Sequence, residues 1–154
     1  MAFKVFVDTN VILDIFLKRE PFFDNSQKLV LEIPEKNVIP LISSSSVTDI
    51  YYICKKSGME KDVILEKLKK VLKTFEVLII DKESVNNAIL SDIKDFEDAV
   101  QIMACKKEKI DLIITRNKKD FENEWIEVQT PEEYLSSISP EPLMDSADWD
   151  EHTE

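Results

Sequence analysis

Residues 3–14 read Phe3-Lys4-Val5-Phe6-Val7-Asp8-Thr9-Asn10-Val11-Ile12-Leu13-Asp14. The apolar run Phe3–Val7 stops at Asp8, and Thr9 or Asn10 is placed to cap the apolar stretch Val11–Leu17, so a strand passes directly into a helix. The same change recurs from Val38–Ile42, through the serines at 43 to 46, into Val47–Cys54, with a further helix over Asn25–Ile33. Downstream, Val63, Ile64, Leu68, Val71, Leu72 and Phe75 repeat at helical spacing between interleaved lysines, which predicts an amphipathic surface helix. Val77–Ile80 then reads as a buried strand, Ser84–Leu90 and Asp95–Lys107 as helices, and Leu112–Ile114 as a strand. Trp125–Val128 reads as an edge strand and Pro131–Ser136 as a terminal helix started by proline. Strands that are apolar on both faces and alternate with helices need a parallel sheet covered on both sides. The expected fold class is therefore α/β, a three-layer α/β/α sandwich with a central parallel sheet.

At 154 residues and 44% apolar content the chain suits one packed domain, expected over residues 1–138. Residues 139–154 lose periodicity, carry two prolines, and are expected to be a disordered acidic tail. The net charge is −11; the tail holds six acids and no Lys or Arg, which leaves −5 on the body. Such a balance gives no long-range attraction to a polyanion unless bound cations neutralise some of the acids. Apolar runs are short and Met1–Val7 lacks the basic start and long apolar stretch of a signal peptide, so a cytoplasmic protein without membrane insertion is expected. Cys54 and Cys105 lack a CxxC spacing and read as buried thiols of a reducing compartment. The single histidine, His152, lies in the tail, which nearly excludes a histidine base, a Ser-His pair or a histidine metal ligand.

In open α/β sheets the ligand crevice lies at the carboxyl ends of the strands. The first strand ends at Asp8-Thr9-Asn10, the second leads through serines to Thr48-Asp49, and the Leu112–Ile114 strand ends at Thr115-Arg116-Asn117 with Asp120 close behind. The preceding helix opens Asp95-Phe96-Glu97-Asp98-Ala99, where the helical wheel puts Asp95 and Asp98 on one stripe and turns Glu97 to the other side. Carboxylates gathered at one sheet edge repel one another and resist desolvation, which a hard divalent cation relieves. Two such ions roughly 4 Å apart activate water and neutralise the leaving oxygen of a phosphodiester without histidine. Each acid also has a local alternative. Ser46-Val47-Thr48-Asp49 fits a helix-capping pattern, Asn117-Lys118-Lys119-Asp120 approximates it, and Asp95 suits an N-cap with Asp98 three residues on. Asp14, one and a half turns beyond Asp8, reads as solvated or locally bonded. Asp8, directly after a fully apolar strand, is the hardest to assign to a local role.

These segments resemble a known family. Val5–Asp14 resembles the opening motif of PIN-domain ribonucleases, especially the VapC-like toxins of bacterial toxin-antitoxin pairs; Ser43–Asp49, Asp95–Ala99 and Thr115–Phe121 resemble the second, third and fourth motifs, in order. The similarity spans residues 3–138. It implies a metal-dependent endoribonuclease that uses Mg²⁺ or Mn²⁺, forms a homodimer and is neutralised by a small antitoxin. It carries Asp8, Asp49 and Asp98 over as metal ligands, with Asp95 or Asp120 supplying a fourth acid, and Thr115 and Asn117 orienting water or phosphate. Two departures stand out: Asp49 occupies a position where the family more often has glutamate, and Asn117 one where many members have aspartate. Lys18, Arg19, Arg116, Lys118 and Lys119 are placed to meet the RNA backbone, with ordinary surface charge as the alternative.

Two rival readings fit the same residues. A haloacid dehalogenase-type phosphatase also places an aspartate after its first strand, but it wants a second aspartate where this chain has Asn10. A PIN-like binding module that kept the fold and lost its ligands would account for Asn117.

Overall fold

A computed structural model describes residues 2–33 and 37–138. The acidic segment 139–154 lies outside the described residues. Five parallel strands, β1 (Phe3–Val7), β2 (Val38–Ser43), β3 (Glu76–Leu78), β4 (Leu112–Ile114) and β5 (Glu127–Gln129), form one sheet in the order β3-β2-β1-β4-β5. The helices are α1 (Thr9–Phe16), α2 (Phe23–Glu32), α3 (Ser44–Lys56), α4 (Lys61–Thr74), α5 (Lys82–Leu90), α6 (Phe96–Glu108) and α7 (Pro131–Ile138), with a 3₁₀ turn at Lys118–Phe121.

Alternation along the strands divides the core into two layers, because successive side chains point to opposite faces. Val5 and Val7 of β1, Ile42 of β2, and Leu112 and Ile114 of β4 pack with side chains of α1, α2, α3, α4 and α7, including Cys54. Phe6, Leu41 and Ile113, one residue out of phase, pack with Ile102 and Cys105 of α6 and with Phe121. Helix α5 packs outside α6, where Ala88 meets Ala99 and Met103. The three-layer α/β/α sandwich with a central parallel sheet is thus the observed architecture.

The chain runs from β1 outward to β2 and β3, then crosses to β4 on the other side of β1. The two directions of winding part between β1 and β4, and a crevice opens at that point beyond their carboxyl ends. Val7 pairs with Ile114, so Asp8 and Thr115 emerge side by side. Pro40 sits in β2 where β3 has not yet begun, since β3 pairs only with Leu41–Ser43, and a residue without N–H is tolerated where a strand is paired on one side. The lone glycine, Gly58, follows α3 at φ 104, a conformation that side-chain-bearing residues avoid.

Two elements differ from the sequence reading. The run Val77–Ile80 is not a buried strand: β3 ends at Leu78 as an edge, with Val77 37% and Ile79 66% exposed. An outermost strand needs cover on one side only, so an apolar run there does not report full burial. Trp125 and Ile126 lie before β5, because the Asn123 side chain accepts hydrogen bonds from both of their amides, at 2.8 and 2.6 Å, and turns the chain.

Candidate active site

Asp8 occupies the N-cap position of α1, which the sequence reading gave to Thr9 or Asn10, yet its carboxylate makes no capping bond. The side chain, 6% exposed, instead accepts a 2.9 Å hydrogen bond from Thr115 Oγ1 through Oδ2. Thr115 Oγ1 in turn accepts from the Asn117 amide at 3.1 Å, and the Asp8 amide donates to Ile114 O at 2.9 Å. The β1 and β4 termini are therefore tied together through the residues that follow them.

Helix α3 reaches the same edge by another tie. Ser43 caps it, accepting from the Ser46 amide at 3.1 Å, and the Ser46 and Thr9 hydroxyls share a hydrogen bond that joins the starts of α3 and α1. The capping alternative for Asp49 falls here: Asp49 stands in the second turn of α3, beyond any N-cap role. Helix α6 is capped by Asp95, whose Oδ1 accepts from the Asp98 amide at 2.9 Å. That bond engages one Asp95 oxygen with the Asp98 amide, while Asp98 itself lines the crevice.

A cavity of about 170 Å³ lies at this edge, lined among others by Asp8, Asp49, Asp98, Asn117 and Asp120. Glu97 and Gln101 line it as well. Glu97 corrects the helical-wheel reading, which turned it away. Glu97, Asp98 and Gln101 fall within an arc of about 100° on α6, so one side of the helix presents all three to the cavity, whereas Asp95, the non-helical cap, lines a larger cleft next door together with Asp120. Gln101 was missed although a signal existed: it is a polar residue one turn beyond Asp98 on an otherwise apolar face. It is 4% exposed, and its Oε1 has no partner among the described residues.

The electrostatics follow from crowding in partial burial. Burial pushes the Asp8 carboxyl from 3.8 up to about 6, opposed by the Thr115 hydrogen bond, the Thr9 amide and the Arg116 charge. Asp98 rises to about 7 through burial, then through repulsion from Asp95, Asp8, Asp120 and Glu97. Glu97 is raised by burial and by Asp49 and Asp95. Among the described residues, however, no three Asp, Glu, Cys or His side chains stand close enough to hold a metal ion as they are. Asp8, Asp49 and Asp98 share this cavity, with Asp49 the neighbour of Glu97. The all-oxygen donor set, the mutual repulsion and the unpartnered Gln101 oxygen fit a hard divalent cation.

The basic residues divide. Arg116 donates through Nε to Asp14 Oδ2 at 2.7 Å and through Nη2 to Oδ1 at 3.2 Å, and Arg19 Nη1 reaches both Asp14 and Asn10 at 3.5 Å. Asp14, read as solvated or locally bonded, is 0% exposed and pairs across the fold. Lys118 pairs with Glu133 at 3.1 Å, while Lys18 and Lys119 are exposed and Lys119 lines the larger cleft.

The profile of the PIN domain matches residues 4–119. The chain belongs to the PIN-domain family. It is 35% identical over 102 residues to Ribonuclease VapC1 of Aquifex aeolicus (strain VF5), covering 63% of this chain and 69% of that protein. The fold of this PIN domain is shared with a toxin-antitoxin complex from Klebsiella pneumoniae (TM-score 0.62, 20% identity, 82% of this chain and 97% of that one). It is shared also with VapBC2 from Rickettsia felis bound to a DNA fragment from their promoter (TM-score 0.62, 18% identity, 82% and 98%). A third such structure is PAE2754 from Pyrobaculum aerophilum (TM-score 0.62, 16% identity, 91% and 98%). Membership of this family removes the phosphatase alternative. Among the described residues, no helix of this PIN domain is long and apolar enough to cross a membrane.

Proposed function

We propose that this PIN domain is an endoribonuclease, the toxin of a toxin-antitoxin pair, that cuts RNA phosphodiester bonds in the Asp8/Asp98 cavity with Mg²⁺ or Mn²⁺ bound. The observation that carries the reading is the convergence of Asp8, Asp49, Glu97, Asp98 and Asp120 around a small cavity at the switch point of the sheet, where burial and mutual repulsion hold Asp8 and Asp98 far above ordinary carboxylates. The similarity to Ribonuclease VapC1 supports RNA as the substrate, and the toxin-antitoxin complexes of the same fold support an antitoxin partner and a cytoplasmic setting.

Asp8 and Asp98, with Asp49 or Glu97, are the residues to hold the ion, and Asp120 is within the same cavity to replace the aspartate that Asn117 lacks. When bound, such an ion supplies Lewis-acid stabilisation of the charge that develops on the phosphate oxygens. Thr115 keeps one Asp8 oxygen fixed by its hydroxyl, which leaves the other oxygen for the cavity. The Asn117 side chain, next to Asp8 and Asp98, orients water or a phosphate oxygen. Lys18 and Lys119, whose ammonium groups are exposed, are the basic residues to meet the RNA backbone. The chain acts as a homodimer in this reading.

A second reading, a PIN-like module that binds without cutting, is favoured by Asn117 and by the absence of a ready three-ligand group among the described residues. One experiment separates the two. Purified protein is incubated with total RNA and Mg²⁺ or Mn²⁺ beside an Asp8→Asn/Asp98→Asn control. Metal-dependent fragments that vanish in the control establish the nuclease; equal activity in both exposes contamination, and RNA bound but never cut establishes the binding module.

A further inference from the structure

On the reading of this cavity as a nuclease site, we propose that the Asp14–Arg116 pair is a positioning device: it locks the Thr115–Asn117 turn against α1, and Arg116 acts through its neighbours and not as an RNA contact. The pair joins residues 102 apart in sequence. Asp14 is completely buried in α1 and accepts two hydrogen bonds from one guanidinium, a fork that fixes orientation as well as distance. The guanidinium carbon lies 4.0 Å above the Phe22 ring, so one face is stacked while the edge is hydrogen-bonded. Arg19 closes the arrangement, reaching from Asp14 to Asn10, which itself lines the catalytic cavity.

The position of Arg116 is what gives the pair its consequence. Its two chain neighbours both serve the cavity: Thr115 donates to Asp8, and the Asn117 amide donates to Thr115 while its side chain lines the cavity. A guanidinium that cannot leave Asp14 without leaving its buried carboxylate only the longer 3.5 Å contact of Arg19 holds both neighbours in place. Ion pairs with a buried carboxylate, as here, contribute little net stability compared with well-packed apolar residues. A pair placed between two residues of the site is therefore better explained by geometry than by stability. Lysine keeps the charge but has no fork and no flat face to stack, so it does not substitute.

The test uses Arg116→Lys, Arg116→Met, Asp14→Asn and the Asp14→Asn/Arg116→Met double variant on a short single-stranded RNA that the wild type cuts. Each single variant is expected to lower kcat by about a hundredfold, the scale of misplaced groups at a reacting centre, with KM unchanged. The double variant is expected to be no worse than the worse single one, since both break one device. The salt dependence of RNA binding, measured in an inactive Asp98→Asn background, keeps its slope. A kept kcat with raised KM and a slope reduced by about one would make Arg116 a phosphate contact and overturn the proposal. Losses that merely track the unfolded fraction seen by circular dichroism would overturn it as well. Hydrogen exchange at the Asn117 amide reads the same device without catalysis: Arg116→Lys is expected to speed it at unchanged global stability, and unchanged exchange refutes the positioning role. Should the wild type cut no RNA, the nuclease reading fails while this exchange measurement still decides the pair.

Discussion

Replacing Asp8 by asparagine is expected to abolish cleavage and yet stabilise the metal-free protein at pH 8. The side chain is 6% exposed, and burial lifts its carboxyl from 3.8 to about 6. In the unfolded chain the group loses its proton near pH 4; in the fold it keeps the proton to about pH 6. The folded state thus binds more protons across that window, and stability falls as pH rises through it. At about 1.36 kcal/mol per pH unit, the deprotonated carboxylate costs the fold about 3 kcal/mol above pH 6. Asparagine has nearly the same shape, accepts the Thr115 hydrogen bond through its carbonyl oxygen, and carries no charge to desolvate. Thermal melts in EDTA should therefore show Asp8→Asn melting about 5–10 °C above the wild type at pH 8, with the difference shrinking toward pH 4. Mg²⁺ or Mn²⁺ should raise the melting temperature of the wild type at pH 8 and leave the variant where it is. A variant that is less stable than the wild type by the same margin at pH 5 and pH 8 would refute the argument, because Asp8 would then be an ordinary packing residue.

Three further outcomes follow from the same geometry. Thr115→Val removes the buried hydroxyl that holds Asp8 and should cost about 1–3 kcal/mol in urea unfolding at pH 8, less at pH 4, where Asp8 is protonated. Asp95→Ala should cost about 1 kcal/mol through the lost cap of α6 while keeping the metal response; loss of that response would return Asp95 to the ligand set. Ile113→Ala, in β4 beside β1 and 0% exposed, should lower stability by about 2–5 kcal/mol, read as a lower urea midpoint at an unchanged slope.

The fold was legible because β1 and β4 are apolar on both faces and end abruptly in polar residues, a pattern that few architectures other than a covered parallel sheet accommodate. The placement of Asp8, Asp49, Asn117 and Asp120 at one edge was legible because they follow the ends of β1, β2 and β4, and that of Asp98 because it opens the helix before β4. What escaped depended on contacts made across the chain. Asp14 and Arg116 are both charged and lie on separate motifs, and only the packing of α1 against the β4 terminus brings the half-buried guanidinium onto the buried carboxylate. Glu97 escaped because the stripe was drawn through Asp95, the non-helical cap, whereas the side of α6 that meets the cavity runs through Glu97, Asp98 and Gln101. The exposed faces of Val77 and Ile79 escaped because apolar composition does not tell an edge strand from a central one.

The two cysteines fall in different layers, Cys54 beneath the α3 side of the sheet and Cys105 beneath α6, both fully covered and with thiols whose ionisation burial opposes. A thiol-specific probe can therefore react only when one layer parts from the strands, and the modified position reveals which. Loss of the outer helices on either side can be timed separately without substituting a residue, so each side of the sandwich has a built-in clock for its own opening.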